Sequence, residues 1–419
     1  MPTTVQESPA KAAPPALSTR HVHAVAACYF VASFAALGLP PYLTRILPEL
    51  GDSEAKWAGL LYIVPTVFGA IGAPLWGRLA DKYGRKRLLL RAQLGLAVSF
   101  LFAGWAESLP AFTAALVLQG ILGGTFAASN GYLAAALDGR QLSWALTLMQ
   151  GSARLALVAA PILVGTLSPW VSPHRQYALL AVLPLAAAVM LAALPEPVRA
   201  DEAAAEGSEP DNAGPNDDAN GAPHGAEAPR QASAPTSLRT LYLLEFSFVL
   251  ATVVSYPYLI DLVEKRLPGL GSAASGVLFA LPHVCYLLLA RPVHTTVAHR
   301  PRLGAAAGFG CVALALAGHW GAESLASFVV LRLVLGAGMT LGLVSLSALA
   351  ADACRGRRPG RMFGSLEFIS KAGAVAAGAV AAASNGVWGP AAPVVAGSAV
   401  AALTVLAGTP TLLRTRWSR

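Results

Sequence analysis

The chain has 419 residues, of which 55% are hydrophobic and only 12% charged, and its formal net charge is +8. That balance excludes an ordinary soluble domain of this size and points to a membrane protein. The four cysteines, at positions 28, 285, 311 and 354, form no close pair, so neither a disulfide framework nor a thiolate metal site is expected, and no metal or other cofactor is implied.

Residues 1–20 are polar and proline-bearing. They read as a disordered cytoplasmic tail with no cleavable signal, because the apolar run that follows is long enough to stay in the membrane. Twelve apolar stretches then succeed one another, at 22–47, 56–77, 88–106, 111–137, 143–167, 175–194, 238–262, 273–294, 303–320, 325–351, 361–383 and 390–413. Each can cross a hydrocarbon layer roughly 30 Å thick as a helix. Between the sixth and seventh, residues 195–237 hold nine acidic residues among Ala, Pro, Gly and Asn, a composition that cannot bury a core and reads as a disordered cytoplasmic linker. The expected domains are thus a six-helix bundle over 21–194, the linker, a second six-helix bundle over 238–413, and a tail at 414–419. The fold class is an all-α membrane protein of twelve transmembrane helices in two halves.

With both termini cytoplasmic, 22 of the 30 lysines and arginines fall on the cytoplasmic side and five outside, the asymmetry that fixes orientation in membranes. The net charge is therefore a topology signal, and no nucleic-acid partner is expected. Trp57, Trp105, Trp170, Trp320 and Trp388 fall at outer helix ends, and Trp76, Trp144 and Trp417 at inner ones, as amphipathic rings do between lipid and water. The His-Val-His at 21–23 reads as an interfacial feature rather than a metal site.

The halves repeat each other with an offset of about 216 residues. Pro-Tyr-Leu at 41–43 recurs at 257–259, and GLLYIVPTV at 59–67 aligns with GVLFALPHV at 276–284, placing Pro65 opposite Pro282. Span 5 over span 11 puts Arg154 opposite Lys371 and Gln150 opposite Glu367. Duplication with paired, proline-broken helices marks alternating-access transporters, in which solute binds near the midplane between the repeats.

Between spans 2 and 3 the chain reads GRLADKYGRKRLL, residues 77–89. This resembles the signature loop of the major facilitator superfamily at Gly77, Leu79, Asp81, Gly84, Arg85, Lys86 and Arg87. Glycine there suits a tight bend and close helix approach, and the basic cluster holds the loop inside. The resemblance covers 22–413. It implies the superfamily's twelve-helix fold, and a conformational latch at Gly77, Asp81, Gly84, Arg85 and Lys86, with Asp81 holding the halves together when the cytoplasmic side is shut. The second half's counterpart, VHTTVAHRPRLG at 293–304, lacks the aspartate and both glycines. The superfamily's span-4 arginine, four residues before a glycine, is replaced by Leu116, while span 10 supplies Arg332 in that setting. ALVAAPILVG at 156–165 in span 5 resembles the signature of drug/proton antiporters, with Pro161, Gly165 and small residues at Ala156 and Ala160.

Three cations fall inside spans away from their ends: Arg154, Arg332 and Lys371. Each costs about 2.5–3.5 kcal/mol at a bilayer centre unless it is compensated, so all three are expected to face the bundle interior. Glu367 lies four residues before Lys371 and can pair with it. One reading has the cations satisfied by carbonyls and by Glu245 and Glu367. The other has Arg154 and Lys371 lining a central cavity and binding an oxygen-rich or anionic solute, a guanidinium serving bidentate recognition and an ammonium a point charge. Arg332, Glu367, Tyr29, Gln119, Asn130 and Tyr258 complete the candidate solute-binding set, and Tyr42 is a further polar group in span 1. Glu245, Glu367 and His283 are the candidate proton carriers, Glu245 because it has no charged neighbour within four residues.

The sequence has no G-x-x-x-x-G-K phosphate loop, nucleophile elbow or zinc-helix motif, so no enzyme is expected. The reading is a proton-coupled secondary transporter of the inner membrane, expected to act as a monomer in the lipid bilayer and to export a small solute. The chain resembles the hydroxamate-siderophore (alcaligin-type) exporters among the drug/proton antiporter-like members. An importer of organic anions and a multidrug efflux antiporter are alternatives, and a non-transporting membrane sensor with the same fold is a third of a different class.

Overall fold

The computed structural model describes residues 18–137, 139–194, 237–297, 299–353 and 359–412. The expected N-terminal tail up to residue 17, the linker up to 236, and the C-terminal tail lie outside them. Spans 2, 3 and 5 are the single helices Ala58–Tyr83, Arg85–Trp105 and Gly139–Leu167. Spans 8 to 12 are Ser272–Val297, Pro301–Trp320, Leu325–Ala353, Pro359–Trp388 and Ala392–Leu412. No strand occurs among the described residues, and the architecture is all-α as expected.

The remaining spans are broken, and the breaks in spans 1, 4 and 7 have local causes. Span 1 runs Thr19–Gly38, tightens into a 3-10 turn at Pro40–Tyr42, and continues as Leu43–Ile46 and Leu47–Leu50, because consecutive prolines carry no N–H for the α-helical ladder. Span 7 repeats the device, Leu238–Val253 giving way to a turn at 254–258 around Pro257 before Leu259–Arg266. Span 6 is Pro173–Leu180 followed by Val182–Ala192. Span 4, legible as one stretch in the sequence, divides into Leu109–Leu122 and Thr125–Ala136 at Gly123-Gly124, where Gly124 takes φ of 89°, a left-handed conformation open to glycine. The loop expected at 77–89 shrinks to one residue: helix runs through Tyr83, Gly84 turns with φ of 93°, and helix resumes at Arg85.

With twelve spans, the start of span 1 at Thr19 and the end of span 12 at Leu412 lie on one side of the layer, here the near face. The loops after spans 1, 5, 7 and 11 lie on the opposite, far face. One apolar core cluster joins the halves, with Leu39, Tyr42, Ile46, Ala160 and Val164 packed with Val254, Tyr258, Ile260, Ala377 and Ala381, all toward the far face. Another belongs to the first half's near-face side, around Val22, Leu89, Tyr132 and Leu191, and the remaining one has its buried residues in the second half, around Phe248, Phe309 and Leu335. Along spans 2 and 8 burial falls from far to near: Ala58, Leu61, Leu278 and Phe279 are buried, whereas Ile71, Leu75, Leu288 and Arg291 are exposed. The halves are sealed at the far face and splayed at the near face.

Candidate functional site

The far-face seal rests on close backbone approach. A Cβ on Gly59 of span 2 would come within 2.7 Å of the Ala382 nitrogen in span 11, and one on Gly276 of span 8 would collide with the Pro161 carbonyl of span 5. Into these crossings the repeat sends its two related tyrosines. The Tyr42 hydroxyl donates to the Pro161 carbonyl at 2.6 Å, with the Ser272 carbonyl of the other half at 3.3 Å. The Tyr258 hydroxyl accepts from the Gly59 N–H at 3.0 Å and donates to the Lys56 carbonyl at 3.4 Å. Arg45 adds an ion pair to Glu264 at 3.1 Å and a hydrogen bond to the Ser272 hydroxyl. Burial pushes the carboxyl of Glu264 up and Arg45 opposes the shift. Of these, the hydrogen bonds to Ser272, Gly59 and Lys56 and the ion pair join the halves at this face.

Beneath the seal lies a group of charges at mid-depth. Arg154 sits at the middle of Gly139–Leu167, and its guanidinium carbon lies 5.1 Å from the ring centre of Tyr286 in span 8, across the halves. It makes no hydrogen bond or ion pair with any described residue. Lys371 occupies the corresponding place in span 11 and pairs with Glu367 at 3.3 Å, their side chains 42% and 63% exposed. That exposure puts the pair in the near-face opening rather than in a packed core. Glu245 of span 7, half-buried beside Ser370, and Tyr29 of span 1 each lie within electrostatic reach of both Arg154 and Glu367. Four expected site residues from four spans, with Lys371 paired to one of them, thus gather between the halves.

Other expected residues lie elsewhere. Arg332 is 1% exposed and donates from Nε to the Leu278 carbonyl and from Nη2 to the Phe279 carbonyl, both at 2.8 Å. The reason is legible in the chain: Pro282, four residues beyond Leu278, has no N–H to offer that carbonyl, and the guanidinium replaces it. His283 is fully buried against Tyr256, whose hydroxyl lies 3.3 Å from Nε2, and although both lie within electrostatic reach of Arg154, His283 is packed in the second half and does not face the opening. Tyr258 belongs to the far-face seal. Gln119 and Asn130 sit on the two pieces of span 4, each with a buried amide oxygen that has no partner, and no described contact links them to Arg154. His21 and His23 bond locally, to Ser18 and the Thr19 carbonyl, and the described residues form no metal-binding cluster.

A family model described as Major Facilitator Superfamily matches residues 25–317. The chain belongs to the major facilitator superfamily. Its long apolar helices are those of a multi-pass membrane protein of that superfamily. Among curated proteins it is similar to the multidrug resistance protein MdtG of Yersinia enterocolitica, 36% identical over 157 residues that make up 36% of each chain. MdtG of Proteus mirabilis is 35% identical over 133 residues, 30% of this chain and 33% of that one. The matches span about a third of those relatives' length, and they agree with the drug-antiporter resemblance. The fold is shared with the human organic anion transporter MFSD10 (TM-score 0.64, 19% identity, 92% of this chain and 98% of that one). It is shared too with a bacterial homologue of the human lysosomal transporter Spinster in an inward-facing, occupied conformation (TM-score 0.69, 12% identity, 96% and 98%).

Against the superfamily's signature loop, Gly84 makes the tight turn, but a Cβ on Gly77 would meet nothing within 4 Å. The close approach expected at Gly77 is missing because that end of span 2 stands at the open near face. Arg85 donates to the Gly131 carbonyl of span 4 at 2.7 Å, and Lys86 to the Ala192 carbonyl of span 6 at 2.9 Å, so both brace the first half internally. The Asp81 side chain lies outside the described residues. Sequence reasoning missed Ser370 and Tyr286, which carry no charge, and Arg91, whose guanidinium lies 3.4 Å from the Trp76 ring centre and donates to the Gly123 carbonyl at 3.0 Å. Trp76, expected as an interfacial ring, donates from its indole to the Ile121 carbonyl at 2.7 Å. The glycine pair in span 4 was the available signal, since a broken helix leaves carbonyls that need donors.

Proposed function

We propose that the chain is a proton-coupled exporter of the cytoplasmic (inner) membrane that moves a small oxygen-rich or anionic solute, a hydroxamate or carboxylate chelator of the siderophore kind, by alternating access. The near face is cytoplasmic in this reading, by the lysine and arginine asymmetry of the loops, so both termini are cytoplasmic and the conformation described is inward-facing. The observation that carries the reading is Arg154: a guanidinium at mid-depth, at the base of the near-face opening, with no described carboxylate paired to it. A cation so placed is stabilised by a visiting anion. Lys371 supplies a second positive charge from the repeat-related position, partly held by Glu367.

Glu245 is the proposed proton carrier. It lies within electrostatic reach of Arg154 and Glu367, so its protonation state and the occupancy of the guanidinium act on one another. Solute arrival and proton movement are thereby coupled through one electrostatic cluster. Arg332, His283 and Tyr258 are assigned to packing and to the far-face seal, and the protein acts as a monomer. The name of the MdtG relatives supports outward movement, and multidrug efflux is the second reading, favoured by the exposed Glu367 carboxylate, which would attract a cationic drug.

Inside-out membrane vesicles energised with an acidic lumen test both readings. A panel of a dihydroxamate, a dicarboxylate and a lipophilic cation should yield accumulation of the first or second, abolished by a protonophore. Accumulation of the cation alone would favour multidrug efflux. Accumulation only in right-side-out vesicles would reverse the direction and leave an importer.

A further inference from the structure

The break in span 4 leaves a groove on the outside of the first half. Span 3 and the first piece of span 4 are in close contact at Gly95, where a Cβ would lie 2.6 Å from the Leu122 Cβ. Beyond Leu122 the chain turns at Gly123-Gly124 and leaves span 3 partly uncovered. The space is about 450 Å³, bounded by Arg87, Leu90, Arg91, Leu94, Val98 and Leu122.

What surrounds it identifies what it faces. Leu94, Val98, Phe102 and Trp105 form one exposed stripe of span 3, the face a transmembrane helix turns to hydrocarbon, ending at a tryptophan on the far side and at Arg87 on the near side. From Arg87 to Val98 is eleven residues, about 16 Å at ~1.5 Å per residue, close to one leaflet of a hydrocarbon core roughly 30 Å thick. The groove therefore opens to the acyl chains of the near-face leaflet. Its floor is apolar and its near-face end is cationic. Arg87 is exposed at the mouth, and Arg91 lies one turn deeper, stacked on Trp76, with Nε and Nη1 making no hydrogen bond to described residues. No described carboxylate pairs with either arginine.

We propose that this groove binds one anionic phospholipid of the near-face leaflet, with an acyl chain along Leu90, Leu94, Val98 and Leu122 and the headgroup phosphate on Arg87. Arg91 supports the headgroup by its charge while its guanidinium stays anchored on Trp76 and the Gly123 carbonyl. The complementarity is twofold: a molecule with both an apolar chain and an anion matches an apolar groove whose near-face end carries two arginines with no described carboxylate. The bound chain also covers the flank exposed where span 4 breaks.

Native mass spectrometry of the full chain, titrated with 1-palmitoyl-2-oleoyl phosphatidylglycerol or its phosphatidylcholine counterpart, tests the proposal. Wild type should retain one phosphatidylglycerol in preference to phosphatidylcholine. Arg87→Gln should weaken phosphatidylglycerol about fivefold, as removal of one interfacial cation does, and leave phosphatidylcholine unchanged. Val98→Trp should fill the groove and weaken the anionic lipid by a similar factor with both arginines intact. Arg300→Gln, which removes an exposed cation of the second half, should change nothing. Equal retention of both lipids by wild type, or undiminished phosphatidylglycerol binding by Arg87→Gln or Val98→Trp, would overturn the site.

Discussion

Replacing Tyr258 with phenylalanine should loosen the far-face seal without touching the charge cluster. In the closed form the Tyr258 hydroxyl bridges two backbone groups of the other half, accepting from the Gly59 N–H and donating to the Lys56 carbonyl. The phenyl ring keeps the packing and loses both bonds. Each is worth about 0.5–1.5 kcal/mol net, and water restores them once the halves part, so the loss falls on the closed state. The sum, about 1–3 kcal/mol, shifts the opening equilibrium roughly 5- to 150-fold. Adding Arg45→Gln removes the half-exposed ion pair to Glu264 and contributes up to about 1 kcal/mol more. Spin labels at exposed Glu54 and Lys265, one on each half, on a background cleared of the native cysteines, report the distance between the halves. The double variant should show a longer-distance population that wild type lacks. An unchanged distribution would refute the assignment of these groups to the seal.

Further consequences can be measured separately. Gly276→Val should hold the far face apart, since even a Cβ collides with the Pro161 carbonyl, and the same label pair should read mostly the long distance. Glu245→Gln should abolish pH-driven accumulation in vesicles while solute exchange at equal pH continues; accumulation that survives would remove Glu245 from the coupling. Glu367→Gln frees Lys371 from its partner and should tighten anion binding by up to about fivefold, read by titration calorimetry. Arg332→Met leaves the Leu278 carbonyl without a donor and should lower thermal stability by about 1–3 kcal/mol, with solute affinity retained; loss of affinity in folded protein would return Arg332 to the binding site.

The division between what the chain discloses and what it hides follows from the kind of signal. Twelve spans are legible because hydrocarbon thickness demands long apolar runs, and Arg154 and Lys371 stand out because charge is rare in them. The repeat placed these two at matching positions, and both lie at mid-depth between the halves. Arg332 presented the same signal but has another use, and only the spacing of Pro282 after Leu278 could have distinguished it. Tyr258 and Tyr42 were legible as polar groups but not as far-face clasps, because their partners are backbone atoms of glycine-lined crossings that sequence does not connect. The break in span 4 was hidden by hydrophobicity, which continues across Gly123-Gly124 and registers no change of direction. The boundary near residue 77 was placed early because Arg78, Asp81 and Lys82 end the apolar run, although the helix itself continues to Tyr83.

The central claim is that Arg154 carries its charge for a solute. Titration calorimetry of wild type, Arg154→Lys and Arg154→Met with the solute selected by the vesicle panel tests it most directly. The account predicts a loss of roughly 10- to 150-fold for Arg154→Met, the worth of hydrogen bonds to a charged group at about 1.5–3 kcal/mol, with Arg154→Lys in between and all three proteins equally folded. Wild-type affinity in folded Arg154→Met would contradict it.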